Sequence, residues 1–452
     1  MRQTFSHFSK LVLIASAFIF AFPLDAKVHE FKLDNGMKLL VKEDHRAPVV
    51  VSQIWYKVGA SDEYGGVTGV SHVLEHMMFK GTKRHPAGEF SRIIAENGGR
   101  ENAFTGRDYT AYFQQLEKSR LKVSFEMEAD RMRNLTLPED EFAKELKVVQ
   151  EERRLRTDDN PQALTYEQFY ATAFASSPYH QPIIGWMTDL ESLTVADLRH
   201  WYQRFYAPNN ATLVVVGDVQ ADDVHKLAKE HFGDIEPTKL QGSKPRKEFA
   251  QKGMRRIEVK AAAQLPQLLM GYKVPVIGQA DEPWEPYALE VLAGVLDGGN
   301  ASRLPRQLVR KQQLAASVGA GYNSVARYNE LFMVQATPTA GKSVARVQKA
   351  IEKQLSRVKK TLVSSTELRR IKAQVLAAKV YQQDSIFYQA MELGMLETVG
   401  LGWQLSEQYE KHITSVTAEQ VRAVARKYLV EEGLTIAQLV PVKANGEVRD
   451  AN

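Results

Sequence analysis

Ser71-His72-Val73-Leu74-Glu75-His76-Met77-Met78-Phe79 decides how this chain is read. Its core is H-x-x-E-H. On a helix, His72 and His76 stand four residues apart and project their imidazoles from one face. Two such rings can hold one cation at about 2.0–2.1 Å each. Glu75, three residues after His72, leans over the same face, placed to take a proton from a metal-bound water rather than to bind the metal. Val73, Leu74, Met77 and Met78 are apolar and bury the other side of the helix.

A hydrolytic zinc site needs a third protein ligand and an open position for water. Downstream, the spacing predicts a helix over Glu139–Thr157 that carries Glu141, Glu145, Glu151 and Glu152. Glu145 and Glu152 are about two turns apart and share a face. One can bind a metal while the other hydrogen-bonds a ligand histidine and fixes its tautomer. Glu151 and Glu152 point about 100° apart, so only one of them can face the metal, and helical geometry does not choose between them.

Around these helices the pattern is α+β. Val28–Val41 and Val49–Val58 read as consecutive strands, followed by helices at about Val70–Phe79, Ala87–Asn97 and Leu121–Asn134. Two later segments look like copies of one unit. Thr194 caps a helix that runs to about Tyr206, followed by the buried strand Thr212-Leu-Val-Val-Val216. Thr417 caps a helix through Tyr428, followed by the strand Leu434–Val440. One offset relates Thr194 to Thr417, Phe205 to Tyr428 and Thr212 to Thr435. An offset that long indicates a duplicated domain rather than a solenoid. Between the copies, Pro237, Gly242, Pro245 and Gly253 mark a solvated basic linker. The expected organisation is a leader over 1–26, a first domain over 27–235, a linker over 236–255 and a second domain over 256–445.

The chain has 452 residues, 44% hydrophobic and 25% charged, as in ordinary globular proteins. It contains no cysteine. That excludes disulfides, cysteine nucleophiles, thiolate zinc sites and iron–sulfur clusters, so any metal must take nitrogen and oxygen ligands. The formal charge of +5 is too diffuse to indicate nucleic acid. Arg2 and Lys10, the apolar run Leu11–Phe22 and Ala26 read as a signal peptide cut after Ala26. The run is short of the roughly 20 residues of a spanning helix. The expected location is therefore outside the cytoplasm, in a bacterial periplasm, with a membrane anchor if the leader is retained.

H-x-x-E-H followed by Glu152 resembles the pitrilysin/insulinase family of zinc peptidases, and within it the bacterial processing-peptidase-like members. The resemblance runs from Val28 to about Val442. It is carried further by Val49–Val58, His76-Met-Met-Phe-Lys-Gly-Thr82, Asn102-Ala-Phe-Thr105, Tyr109, Tyr112 and Val148-Val-Gln-Glu-Glu-Arg153. It implies a clamshell-like pair of homologous α+β domains, each a mixed sheet packed with helices, the second inactive. It implies one zinc ion held by His72, His76 and Glu152, with Glu75 as general base. Glu145 matches the family's carboxylate behind a ligand histidine, and the catalytic carboxylates implied are then Glu75 and Glu145. Asn102 and Ala103 match the edge strand that holds an extended peptide by strand addition, and Phe79 a neighbouring pocket. The implied activity is metalloendopeptidase hydrolysis of peptides or unfolded segments through a zinc-activated water. The alternative is a non-catalytic peptide-binding or assembly subunit of the same fold.

One departure stands out. Active members carry an Arg and a Tyr, seven residues apart, in the C-terminal half. The matching positions here are Val309 and Ala316, which cannot donate a side-chain hydrogen bond. The expectation is a heterodimer with a related subunit that supplies the pair; a homodimer is also open. A displaced pair drawn from Arg310, Tyr322, Arg327 and Tyr328 is the rival. His85 and His180 lack a second histidine at helical spacing and read as solvent or packing residues.

Overall fold

The computed structural model describes residues 27–240, 244 and 246–443. The leader reading lies outside the described residues.

Two mixed sheets organise the chain. The first contains β1 (Val28–Lys32), β2 (Lys38–Glu43), β3 (Val49–Tyr56), β4 (Arg100–Thr105), β5 (Thr110–Glu117) and β6 (Ala211–Gly217), in the order β1-β2-β6-β3-β5-β4. The second contains β7 (Arg255–Ala262), β8 (Gln267–Val274), β9 (Ala315–Gly321), β10 (Glu330–Pro338) and β11 (Leu434–Val442), in the order β7-β11-β8-β10-β9. Dropping β1 makes the two orders superimposable. In each, the last strand inserts beside the first, parallel to it and antiparallel to the next. The register repeats as well. Tyr56 pairs with Ala211 and Thr110 as Tyr272 pairs with Leu434 and Phe332. The duplication legible in the sequence is thus a duplication of topology.

The helices that precede the inserted strands begin alike. Thr194 caps Val195–Phe205 in a capping box with Asp197, and Thr417 caps Ala418–Tyr428 in a box with Gln420. Each box satisfies two amide donors left open at a helix start.

Each sheet packs its own helices on one face and receives a helix from the other half on the second. The helix Ile386–Thr398 lies on β3 and β6, where Ala390 and Leu393 meet Val51, Trp55, Val214 and Val216. The helix Pro161–Ala173 lies on β11 and β7, where Phe169, Tyr170 and Ala173 meet Leu269, Leu331 and Ala437. Both contacts use a glycine for close approach. A Cβ on Gly394 would lie 2.2 Å from the Trp55 ring, and one on Gly271 2.6 Å from Phe169. Because both sheet faces are covered, β3 and β6 read as almost continuous apolar runs.

Charges cross the same junction in both directions. Arg327 donates to Asp62 at 2.7 Å, and Arg107 donates to Glu330 at 3.0 Å. Glu248, between the two sheets in sequence, accepts from the amides of Ala175, Ser176 and Ser177 and from Lys273 of β8. No helix among the described residues is long and apolar enough to cross a membrane.

Candidate active site

The H-x-x-E-H stretch forms the helix Val70–Met77. Gly69 precedes it with φ +88°, a left-handed conformation that glycine adopts without steric cost. Glycine has no capping side chain, and Glu63 supplies the acceptors instead. Its carboxylate takes the Gly69 N–H at 2.8 Å and the Ser71 N–H at 2.9 Å. Val70, Val73, Leu74 and Met77 are buried in the first core. That fixes the opposite face, with His72, Glu75 and His76, towards a cavity of about 840 Å³.

The acidic helix runs as α-helix over Glu139–Arg153 and changes to π-helical hydrogen bonding over Arg154–Asp158, earlier than the continuous helix expected to Thr157. Such π turns are frequent at functional sites. Glu145 and Glu152 do share a face, and they bracket one imidazole. Glu145 Oε2 lies 3.1 Å from His76 Nδ1, and Glu152 Oε2 lies 3.5 Å from His76 Nε2. Glu152 Oε2 is also 3.9 Å from His72 Nε2. Glu151 points away and pairs with Arg154, so the choice that helical geometry left open falls on Glu152.

One donor atom from each of His72, His76 and Glu152 lies within 4.8 Å of the others. Two imidazoles and one carboxylate, converging on a cavity and leaving a side open, fit a hydrolytic zinc ion. Burial pushes the His72 imidazole down to about 3, with the charges of His76 and Arg156 acting the same way. The ring is therefore neutral, as a metal ligand must be. His72 Nδ1 is buried without a hydrogen-bond partner among the described residues, and the ring packs edge-on against His76. His76 instead has Glu145, which Lys80 holds from behind at 2.6 Å. Burial opposes ionisation of Glu145, but the hydrogen bonds from Lys80 and His76 outweigh it and lower its pKa.

Glu75 is raised, chiefly by burial; the Thr105 hydrogen bond and the His76 charge act against that, and Glu152 adds to it. Thr105 Oγ1 donates to Glu75 Oε2 at 2.5 Å and fixes the carboxylate at the cavity wall. Asn102 and Ala103 also line the cavity, on β4, the outermost strand of its sheet. Phe79 is not among the lining residues. Its ring packs on Phe90 and Tyr112, with the Arg131 guanidinium 5.1 Å above it, so it belongs to the core side of the helix.

Several wall residues escaped the sequence reading. Thr105 was quoted only as part of a run, yet strand alternation puts it on the same face as Ala103. Lys80, three residues past the end of the Val70–Met77 helix, is not itself a wall residue but stands behind Glu145. His180, set aside as a solvent or packing residue, lines the cavity and bonds through Nδ1 to the Ser177 carbonyl at 2.7 Å. It ends a single 3-10 turn, Pro178–His180, in a Pro-flanked stretch, and has no second histidine at helical spacing.

Neither Val309 nor Ala316 lines this cavity; Val309 packs against the second core, and Ala316 is exposed on β9. Three of the four displaced candidates are engaged elsewhere. Arg327 is tied to Asp62, the Tyr322 hydroxyl donates to the Pro275 carbonyl, and Tyr328 packs edge-on against Tyr179. Arg310 is exposed near the end of a helical turn over Pro305–Lys311.

Known proteins share this organisation. The family model described as Insulinase (Peptidase family M16) matches residues 38–186, and the one described as Peptidase M16 inactive domain matches residues 192–375. The zinc protease PqqE of Helicobacter pylori is 34% identical over 81% of this chain and 84% of its own. An uncharacterized zinc protease of Mycobacterium leprae is 30% identical over 88% of each chain. A protease from Helicobacter pylori of known crystal structure superposes with a TM-score of 0.87 at 31% identity, over 92% of this chain and all of that one. The Escherichia coli periplasmic protease PqqL shares the fold, with a TM-score of 0.79 at 20% identity; this chain accounts for 49% of it. The chain belongs to the pitrilysin/insulinase family of peptidases, peptidase family M16.

Proposed function

We propose that this chain is a zinc metalloendopeptidase that cleaves peptides or unfolded polypeptide segments. The observation that carries the reading is the placement of Glu75. A structural metal site has no use for a further carboxylate that is not a ligand, whereas here one is held by Thr105 beside the three donors. Zinc bound by His72, His76 and Glu152 supplies a Lewis acid that makes water acidic near neutral pH. Glu75 receives the proton from the attacking water and returns it to the leaving amine. Its raised pKa suits a group that must both take and give a proton. The outer edge of β4 at Asn102 and Ala103 offers backbone groups to an extended substrate.

In this reading residues 27–235 are the catalytic domain, 236–255 the linker and 256–445 an inactive counterpart. The leader directs export to a bacterial periplasm. Val309 and Ala316 leave the Arg/Tyr positions empty, and of the displaced candidates Arg327, Tyr322 and Tyr328 are engaged elsewhere. The substrate-clamping pair therefore comes from a related subunit in a heterodimer. The occurrence of this fold as half of a chain about twice as long supports such an arrangement.

The deciding comparison is wild type against Glu75→Gln. The variant keeps zinc, because the ligands remain, and loses peptide hydrolysis. A hydrolysis rate unchanged by the substitution refutes the role of Glu75; a wild type that hydrolyses nothing, alone or with the related subunit, leaves the peptide-binding subunit as the reading. The heterodimer is tested by adding the related subunit. If the chain alone already cleaves at full rate and the addition changes nothing, that part is wrong.

A further inference from the structure

Glu63 is a fully buried carboxylate, 0% exposed, that the proposed reaction does not use. Each of its oxygens accepts one backbone N–H at the start of the Val70–Met77 helix. Burial pushes its carboxyl up to about 8 even though those two amides pull it down. A group kept at such a cost is one whose position matters to the fold around it.

What it holds is the helix that carries two of the three metal donors and the base. The helix spans two turns and carries His72, Glu75 and His76. A helix that short is not stable by itself and takes its register from its anchors. At its C-terminal end His76 is fixed by Glu145; at its N-terminal end the anchor is Glu63. Ligands must be held to within roughly 0.5 Å for productive geometry.

The turn that carries Glu63 is itself gripped from outside the first sheet. Arg246, in the segment between the sheets, donates to the carbonyl oxygens of Ser61 and Glu63. Arg327, just before β10, donates to Asp62 Oδ1 at 2.7 Å and to the Asp108 carbonyl at 2.7 Å. Asp62 also takes the Gly59 N–H at 3.0 Å, which closes the turn. The path from the second half to the metal helix is thus Arg327, Asp62, Glu63 and the amides of Gly69 and Ser71.

We propose that Glu63 is a positioning residue for the metal-binding helix, and that the second half sets its place through Arg327 and Asp62. The inactive half then has a task at the metal site: it holds the ligands in register. This rests on the zinc-peptidase reading and deepens it.

The test uses the full chain and three variants, Glu63→Gln, Arg327→Met and Arg327→Lys. Glu63→Gln keeps one acceptor oxygen but turns an NH₂ group against a helix amide. Three quantities are read: zinc affinity by chelator competition, the visible spectrum of the cobalt-substituted protein, and kcat separately from KM. The expected result for Glu63→Gln is zinc affinity weakened about tenfold, shifted cobalt bands, and a fall in kcat with KM unchanged. Arg327→Met shows the same pattern more weakly, and Arg327→Lys, which keeps a cation at Asp62, restores it. A folded Glu63→Gln with wild-type zinc affinity and cobalt spectrum overturns the proposal. If Glu63→Gln does not fold, the arginine pair decides, and equal behaviour of Arg327→Met and Arg327→Lys overturns it. Zinc affinity and the cobalt spectrum do not depend on turnover. Failure of the peptidase mechanism in Glu75→Gln is therefore read separately from failure of this inference.

Discussion

Replacing Glu145 with alanine removes the group that orients His76, and its effect can be worked from the structure. Glu145 Oε2 is 3.1 Å from His76 Nδ1, and its other oxygen is held by Lys80 at 2.6 Å. A hydrogen bond to a charged partner contributes about 1.5–3 kcal/mol. At roughly 1.4 kcal/mol per tenfold, zinc affinity should weaken by about 10-fold to 150-fold. The loss is not shared with the other imidazole, because His72 Nδ1 has no partner among the described residues. Glu145→Ala belongs at the upper end, since it also strands Lys80 beside His76. Glu145→Gln keeps an oxygen that can accept from Nδ1–H and loses only the charge, so it belongs near tenfold. The assay is equilibrium competition with a chromophoric chelator at neutral pH, paired with hydrolysis of a quenched fluorescent peptide at saturating zinc. Hydrolysis should largely recover at high zinc, because the three ligands remain. If Glu145→Ala binds zinc within about twofold of wild type, the assigned role of this carboxylate is refuted.

Other perturbations reach different parts of the argument. Thr105→Val removes the donor to Glu75 at nearly constant shape; kcat should fall about tenfold, the equivalent of roughly 1.4 kcal/mol, with zinc retained and Thr105→Ser restoring the rate. A fall in zinc affinity instead would show that Thr105 supports the helix rather than the base. Gly394→Ala places a methyl 2.2 Å from the buried Trp55 ring and should destabilise the interlock of the halves by about 1–3 kcal/mol, read as a lower melting temperature. An unchanged melting temperature would mean that the Ile386–Thr398 helix can shift freely on the first sheet. Glu248 is lowered to about 2: burial opposes this, but Lys273 and the amides of residues 175–177 outweigh it. Its stabilisation is therefore present above the ordinary carboxyl range and lost as pH falls towards 2. Glu248→Gln should be less stable than wild type in urea melts at pH 7 and converge with it near pH 2. A gap of equal size at both pH values would remove the carboxylate from the account.

Much of the site was written in local sequence. His72, Glu75 and His76 share a helix face because four-residue and three-residue spacings do so on any helix. Glu145 and Glu152 share another because seven residues make about two turns. The duplication was legible for a similar reason: Thr194 and Thr417 begin helices with the same side-chain chemistry, and each helix leads into a buried strand. The resemblance put Phe79 at a pocket, but a Phe on a helix is more often core, and packing placed it there. Phe79, beside the metal residues in sequence, turned into the core, where Phe90, Tyr112 and Arg131 surround its ring. His180, read as a solvent or packing residue in a Pro-flanked stretch, lines the cavity at the end of the 3-10 turn Pro178–His180 and is not one of the metal donors.

Residue order alone dictated which side chains could act together along one element, since helix and strand periods are fixed by backbone geometry. It could not choose Glu152 over Glu151, because that depends on which side of the acidic helix faces the Val70–Met77 helix. Nor could it show that β4 is a sheet edge, that Thr105 holds Glu75, or that Arg327 reaches Asp62 across 265 residues. Those contacts arise when two sheets of one topology exchange helices across their covered faces. Burial on both sides then fixes the angles and distances that no local period encodes.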